Sequence, residues 1–138
     1  MDRERVEALY RTINAGYGKD PRSQVDSLRE FADPDIELVV PPDYVDFGKV
    51  RGYEGLIAWL EMVSTVFETW RYEVREIRDL GDDRVLALLD LRVRGASSGA
   101  EMVVPGGHVL EFRDNRLLRL EVHRTHEAAL EAAGLPGV

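Results

Sequence analysis

The chain has 138 residues and a formal net charge of -8, with 26 acidic and 18 basic side chains and no cysteine. This length predicts one domain, spanning 1–138, with a core large enough to fold without disulfides. The absence of cysteine excludes a disulfide framework, a thiol nucleophile and thiolate metal ligands. The acidic balance argues against nucleic acid as a partner, because that binding depends on Lys and Arg contacts to phosphate.

Membrane insertion and secretion are not expected either. The longest apolar run, from Val85 to Leu91, is interrupted by Asp90 and is much shorter than the roughly 20 residues that a spanning helix needs. The opening residues, MDRERVEALY, begin with charges and lack the apolar segment of a signal peptide. We therefore expect a cytoplasmic protein with no membrane partner.

Two short helices are predicted at the start of the chain. Apolar residues at helical spacing predict a first helix that ends near Gly16. Ser23, followed three residues later by Asp26, indicates the start of a second helix that ends before Pro34. The short connection predicts that the two helices form a hairpin.

A strand and a long loop follow the helical hairpin. The segment 35–40, DIELVV, predicts a strand whose alternation places Glu37 on the face opposite to its apolar neighbours. The stretch 41–52 begins with two prolines and contains Tyr44. Its length is typical of loops that take part in function.

The stretch 51–94 organises the rest of the chain, because an amphipathic helix leads almost directly into a long hairpin with its turn at 81–83. The apolar stripe of the helix, which includes Trp59 and Met62, is too wide for one flat contact, so part of it could line a cavity. The second strand of the hairpin, over 85–93, has apolar residues on both faces. Each face of this strand must therefore be covered.

The remainder predicts two more strands and a helix. The strand over 100–113 is interrupted at Pro105-Gly106-Gly107, which indicates a bulge or an edge. Asp114-Asn115 makes a tight turn into a strand over 116–124. Thr125 is a suitable N-cap for a final short helix.

Several short motifs occur in a characteristic order along the chain: NAG at 14–16, FADPDIEL at 31–38, RG at 51–52, DLGDDRVL at 79–86, EFRDNRLLRLE at 111–121 and EAALEAAGL at 127–135. Together with the element order, they resemble the SnoaL-like branch of the nuclear-transport-factor-two-like superfamily. The resemblance implies an α+β, cystatin-like cone, in which a curved mixed sheet wraps around N-terminal helices and leaves an apolar pocket. It implies little about chemistry, because this fold hosts isomerases, cyclases, hydrolases, dehydratases and pure binding modules.

Ketosteroid isomerase shares this superfamily and uses an aspartate base, a tyrosine and a protonated aspartic acid. An alignment by eye places those three positions near Val39, Leu9 and His108, and none of them matches. The isomerase chemistry is therefore not expected here. The resemblance does imply which side chains face the pocket: His108, Leu110 and Phe112 from one strand, Leu118, Leu120, Val122 and Arg124 from the next, and Trp59 from the central helix.

Three residues are candidates for catalysis. His108 is the first, because imidazole gives and takes a proton near neutral pH, although a structural hydrogen bond would also explain it. Glu37 could meet His108 as a general base with a raised pKa, or could form a salt bridge at the rim. Arg124 could bind a carboxylate or enolate oxygen, or could pair with an acid such as Glu37.

The other pocket candidates are apolar or aromatic, as is usual in small-molecule sites, and they could equally be core: Tyr44, Trp59, Met62, Leu110, Phe112, Leu120 and Val122. The spacing of His123 and His126 matches no zinc signature, and no nucleotide-binding or nucleophile motif is present. We expect neither a metal nor a cofactor.

The residues and the resemblance together predict a small-molecule-binding protein, or a cofactor-free enzyme that carries out isomerisation, cyclisation or epoxide hydrolysis on an apolar substrate. A non-catalytic ligand-binding or dimerisation domain is the alternative. Leu86 and Leu88 lie on the strand face opposite to Val85, Ala87 and Leu89, so one of these sets should remain outside. Because exposed apolar patches mark interfaces, we expect a homodimer through the outer sheet face.

Overall fold

A computed structural model of the protein describes residues 2–41 and 49–135. One six-stranded sheet, with the order β2-β1-β6-β5-β4-β3, is antiparallel except where β1 runs parallel to β6. This curved, mixed sheet with its helices confirms the predicted α+β fold. The elements are α1 (Arg3–Gly16), α2 (Pro21–Leu28), β1 (Ala32–Val39), β2 (Lys49–Arg51), α3 (Gly52–Val66), β3 (Phe67–Gly81), β4 (Arg84–Gly95), β5 (Glu101–Arg113), β6 (Arg116–His123) and α4 (His126–Ala132).

Capping side chains set the beginnings of the short helices. Asp20 accepts a hydrogen bond from the backbone N–H of Ser23, with Pro21 in the first turn, so α2 begins earlier than the predicted start at Ser23. Thr125 caps α4 as predicted, through a hydrogen bond from the backbone N–H of Ala128. No helix within 2–41 and 49–135 combines the length and the apolar character that crossing a membrane requires.

Of the two alternatives predicted for Pro105-Gly106-Gly107, a bulge or an edge, the structure shows the edge. The strand continues through Pro105-Gly106-Gly107, and its irregularity lies between Glu111 and Phe112. Gly107 pairs with His123, the last residue of β6, so among the described residues the stretch of β5 before Gly107 pairs with β4 only. Proline is tolerated there because a strand with one neighbour has fewer ladder bonds to lose.

The main core lies between the concave face of the sheet and α1. Its central members are almost completely inaccessible to solvent: Val6, Leu9 and Tyr10 of α1, Val85, Ala87 and Leu89 of β4, and Leu110 of β5. Alternation along β4 places the other large side chains of that strand on the convex face. Both faces of the strand are therefore apolar, as the sequence indicates.

Helix α4 covers the convex face at the centre of the sheet. Ala129 and Leu130 pack with Leu86, Leu88 and Val109, all of which are buried. Both apolar sets of β4 are buried, so the expectation that one of them remains outside is wrong. The homodimer stays a prediction, but the exposed apolar patch on β4 from which we inferred it is covered by α4.

Beyond α4, the convex face of β3 and β4 is charged. Arg75 and Asp90 form an ion pair at 2.5 Å, and Arg92 pairs with Glu73 across the same two strands. Asp90 is thus paired on the outer surface of the sheet. Such pairs contribute little stability individually.

Gly107 allows the close approach of α4, which leads to a test. A Cβ at this position would lie 2.4 Å from the Cβ of Ala129 and 3.2 Å from the carbonyl oxygen of Ala87. We expect Gly107→Ala to lower the free energy of unfolding by about 1–3 kcal/mol, because the helix must move outward. Urea denaturation followed by circular dichroism measures the change.

Gly16→Ala is the matched control for this substitution. The new Cβ would lie 3.5 Å from the Cγ of Gln24, which is an ordinary contact, at a helical position. We expect this variant to be neutral or slightly stabilised, because alanine restricts the unfolded chain. Equal effects of the two substitutions would show that α4 does not depend on a missing side chain at Gly107.

Candidate functional site

Two adjoining cavities lie between α3 and the concave face of the sheet. The inner cavity has a volume of about 110 Å³ and an almost wholly apolar lining to which His108, Leu120 and Val122 contribute. The outer cavity has a volume of about 520 Å³ and is lined by residues that include Met62 and Arg124. Both cavities, and a smaller space of about 30 Å³ beside His108, share Trp59 and Trp70.

The wide apolar stripe of α3 forms one wall of this space. Leu56, Trp59, Leu60 and Val63 line the inner cavity, while Met62 and Val66 extend the wall into the outer cavity. These positions recur at three- and four-residue spacing, so they share a broad face of the helix. Part of the wide apolar stripe of α3 therefore lines these cavities.

His108 is the polar residue at the buried end of the site. It lies on β5 opposite Ala87 of β4 and Val122 of β6, and only 3% of its surface is exposed. Its Nδ1 lies 2.7 Å from the hydroxyl oxygen of Tyr10, which projects from α1. The edge of the Tyr72 ring packs against the imidazole at 5.1 Å between centroids and 77° between planes. Aromatic rings and a hydrogen bond thus hold the imidazole.

Burial makes the His108 and Tyr10 side chains neutral. Loss of hydration, with a smaller contribution from the nearby His123, lowers the pKa of His108 from 6.5 to about 3. Burial also raises the pKa of Tyr10 well above 10.0, with a smaller contribution from Tyr72. At neutral pH the pair therefore consists of a phenol and an uncharged imidazole. The expectation that His108 exchanges a proton readily near neutrality does not hold for the unliganded site.

Glu37 lies on the opposite face of the sheet from the cavity. The register of β1 with β6 places Leu38 beside Leu120 and Glu37 beside Arg119. The carboxylate of Glu37 lies 3.3 Å from Arg119, 3.5 Å from Arg51 and 3.6 Å from Lys49. The structure therefore shows the salt-bridge alternative and does not bring Glu37 to His108.

Arg124 and the predicted pocket residues divide into three groups. Trp59, Leu120 and Val122 line the inner cavity with His108, whereas Met62 and the exposed Arg124 line the outer cavity. Leu110 and Phe112 do not line either cavity; they are buried in the main core, at 0% and 6% exposure. The prediction that these two face the cavity is wrong, because neighbouring core side chains enclose them. Tyr44 lies outside the described residues.

Sequence reasoning missed the part that Tyr10 plays. Tyr10 lies on the core-facing side of α1 and is only 1% exposed. The available signal was its hydroxyl, because a buried tyrosine needs a hydrogen-bond partner. The partner could not be identified from the sequence, since 98 positions separate Tyr10 from His108.

The other two histidines have local partners. His123 Nε2 lies 2.7 Å from the carboxylate of Glu121, and His126 Nε2 lies 3.0 Å from the carbonyl oxygen of Leu89. Within residues 2–41 and 49–135, no three His, Asp or Glu side chains converge as a group that could hold a metal ion.

Comparisons with known proteins identify the family. The SnoaL-like domain family matches residues 6–120. No curated protein matches the chain. Solved structures that are similar include a nuclear-transport-factor-two-like (NTF2-like) protein of unknown function from Burkholderia pseudomallei, with 19% identity, a TM-score of 0.71, and coverage of 95% of this chain and 97% of that one.

Two further similar structures have more specific names. One is a putative SnoaL-like polyketide cyclase from Jannaschia sp. CCS1, with 19% identity, a TM-score of 0.69 and 99% coverage of both chains. The other is TerC co-crystallized with polyporic acid, with 24% identity, a TM-score of 0.72, and coverage of 94% of this chain and 98% of that one. At these identities the likeness shows the fold. Because the family match extends from α1 to β6, the chain belongs to the SnoaL-like domain family.

Proposed function

We propose that the protein binds a small apolar organic molecule in the two cavities, with His108 as its polar anchor. The observation that carries this proposal is a buried imidazole in the lining of an otherwise apolar cavity. Small-molecule sites typically combine apolar walls with a few polar groups that fix orientation. The ligand would enter through the outer cavity and place one polar atom against His108.

The shape and charge of the cavities support a planar, mainly uncharged ligand. Trp59 and Trp70 line both spaces and offer flat aromatic surfaces. The outer cavity includes one cationic side chain, Arg124, which would suit an acidic or enolic oxygen at that end of the ligand. The names of the Jannaschia cyclase and the polyporic acid complex support ligands of this general class.

Cofactor-free acid/base catalysis is the second candidate, favoured by the hydrogen bond between Tyr10 and His108. The reaction would be an isomerisation, a cyclisation or an epoxide hydrolysis. A ligand that becomes negatively charged during the reaction would stabilise protonated His108, opposing the effect of burial. Glu37 has no part in this scheme because it lies on the other face of the sheet.

Ligand binding can be tested by filling the inner cavity. We expect Val122→Phe to remove binding of planar apolar ketones, because the larger ring would occupy the space beside His108. A ligand at 100 times its Kd stabilises the wild-type fold by about 2.7 kcal/mol, which thermal denaturation detects as a rise in Tm of several degrees.

Val103→Phe is the matched control, because Val103 is 48% exposed and lies outside the linings of both cavities. It should keep the ligand-induced rise in Tm. A rise that survives in Val122→Phe as well would place the ligand elsewhere.

The neutral state of His108 predicts a pH dependence of stability. Between pH 6.5 and about 3 the unfolded chain binds a proton at this histidine that the folded chain excludes. The free energy of unfolding therefore rises with pH across this window, by up to about 1.4 kcal/mol per pH unit. The contribution of neutral His108 to the free energy of unfolding is complete above pH 6.5 and is lost as the pH falls toward about 3.

His108→Gln should reduce this slope between pH 7 and pH 5, measured by urea denaturation at each pH. Val122→Ala is a suitable control, since it disturbs the same cavity while keeping the histidine. Identical slopes in the wild type and His108→Gln would contradict a neutral buried imidazole.

Catalysis by His108 has a separate test. If the protein is an acid/base enzyme, His108→Ala should abolish turnover of its substrate while the far-ultraviolet circular dichroism spectrum remains that of the wild type. Exchange of the α-protons of cyclic ketones for deuterium, followed by mass spectrometry, gives an assay that needs no knowledge of the natural substrate. Unchanged exchange in His108→Ala would exclude the histidine as the catalyst.

A further inference from the structure

The hydroxyl of Tyr10 has one hydrogen-bond partner among residues 2–41 and 49–135, the Nδ1 atom of His108. Tyr10 is 1% exposed, so its hydroxyl is held away from solvent. The phenol keeps its proton, because burial raises the pKa of Tyr10. The phenol and the imidazole therefore carry one proton each, and the 2.7 Å contact is a hydrogen bond in which either group could be the donor.

Two arrangements of these protons are possible. If Nδ1 of His108 donated to the phenol oxygen, the O–H of Tyr10 would be a buried donor without an acceptor, which is costly. If the phenol donates to Nδ1, its O–H is satisfied and the imidazole carries its own proton on Nε2. In the second arrangement, two groups remain without a partner among the described residues: the phenol oxygen accepts no hydrogen bond, and the Nε2–H group donates none.

Because Tyr10 occupies Nδ1, Nε2 is the ring nitrogen of His108 that is available to a molecule in the inner cavity. His108 lines the inner cavity, whereas Tyr10, which holds Nδ1, does not. Tyr72 packs edge-on against the imidazole, and the Tyr10 ring lies at 19° to it, which restricts rotation of the ring. Among the described residues, Nε2 has no hydrogen-bond partner of its own.

We propose that Tyr10 acts as a positioning residue that fixes His108 in the Nε2-protonated form, so that the inner cavity presents one hydrogen-bond donor and selects ligands with an acceptor, such as the carbonyl of a ketone or quinone. The tautomer follows from the protein alone, while the ligand class rests on the proposed function. An acceptor atom pairs with Nε2–H, and a ligand that offers only an N–H group leaves two donors facing each other.

Nitrogen-15 NMR of the unliganded protein tests the tautomer directly. We expect long-range proton–nitrogen correlations of His108 to show an unprotonated Nδ1 and a protonated Nε2, with the signals assigned by their loss in His108→Gln. Tyr10→Phe should give a mixture of tautomers, because the donor that holds Nδ1 is gone. A proton on Nδ1 in the wild type would overturn the proposal, and this spectrum decides even if Tyr10→Phe does not fold.

Ligand selection is tested with three bicyclic probes of similar shape: indane without a polar group, indanone with an acceptor only, and indole with a donor only. Calorimetry gives the preference of each protein for indanone over indane as the ratio of the two Kd values. We expect this preference to be roughly 5- to 10-fold larger in the wild type than in His108→Phe. Tighter binding of indole than of indanone would overturn the selection of acceptors while leaving the pocket proposal intact. If none of the probes binds, the proposed function fails and the tautomer is still decided by the NMR spectrum.

Discussion

The fold depends on the need to cover both faces of its central strands. β4 directs Val85, Ala87 and Leu89 toward one side and Leu86 and Leu88 toward the other, and all five are buried. Helices α1 and α3 lie over the concave side, and α4 lies over the convex side. Burying apolar surface on both faces is the main favourable term in folding, so this requirement positions the helices.

The site exists because the concave side is covered incompletely. α1 packs closely against β4 and β5 in the main core, while α3 leaves the space that Trp59 and Trp70 border. His108 lies at the boundary between the packed core and this space. Its position explains its chemistry: it is buried enough to lose its charge, is hydrogen-bonded to Tyr10 on one side, and is adjacent to a cavity on the other.

Charge is segregated from the site by the alternation of strands. Glu37 and Arg119 pair on the convex face, while their neighbours Leu38 and Leu120 face the cavity. The ion pairs of the sheet are at least partly exposed, so each contributes little to stability. An apolar cavity remains on that face, with the buried imidazole of His108 in its lining.

The sequence by itself determined the fold class, the wide apolar stripe of α3 and the two-sided character of β4, because periodicity is a local property. Only the tertiary structure showed that Glu37 faces away from the cavity, that α4 covers Leu88, and that Tyr10 reaches His108. These facts depend on strand register and on contacts between distant segments. A shift of one residue in register would exchange the two faces of a strand, and no local pattern specifies which distant side chain completes a hydrogen bond.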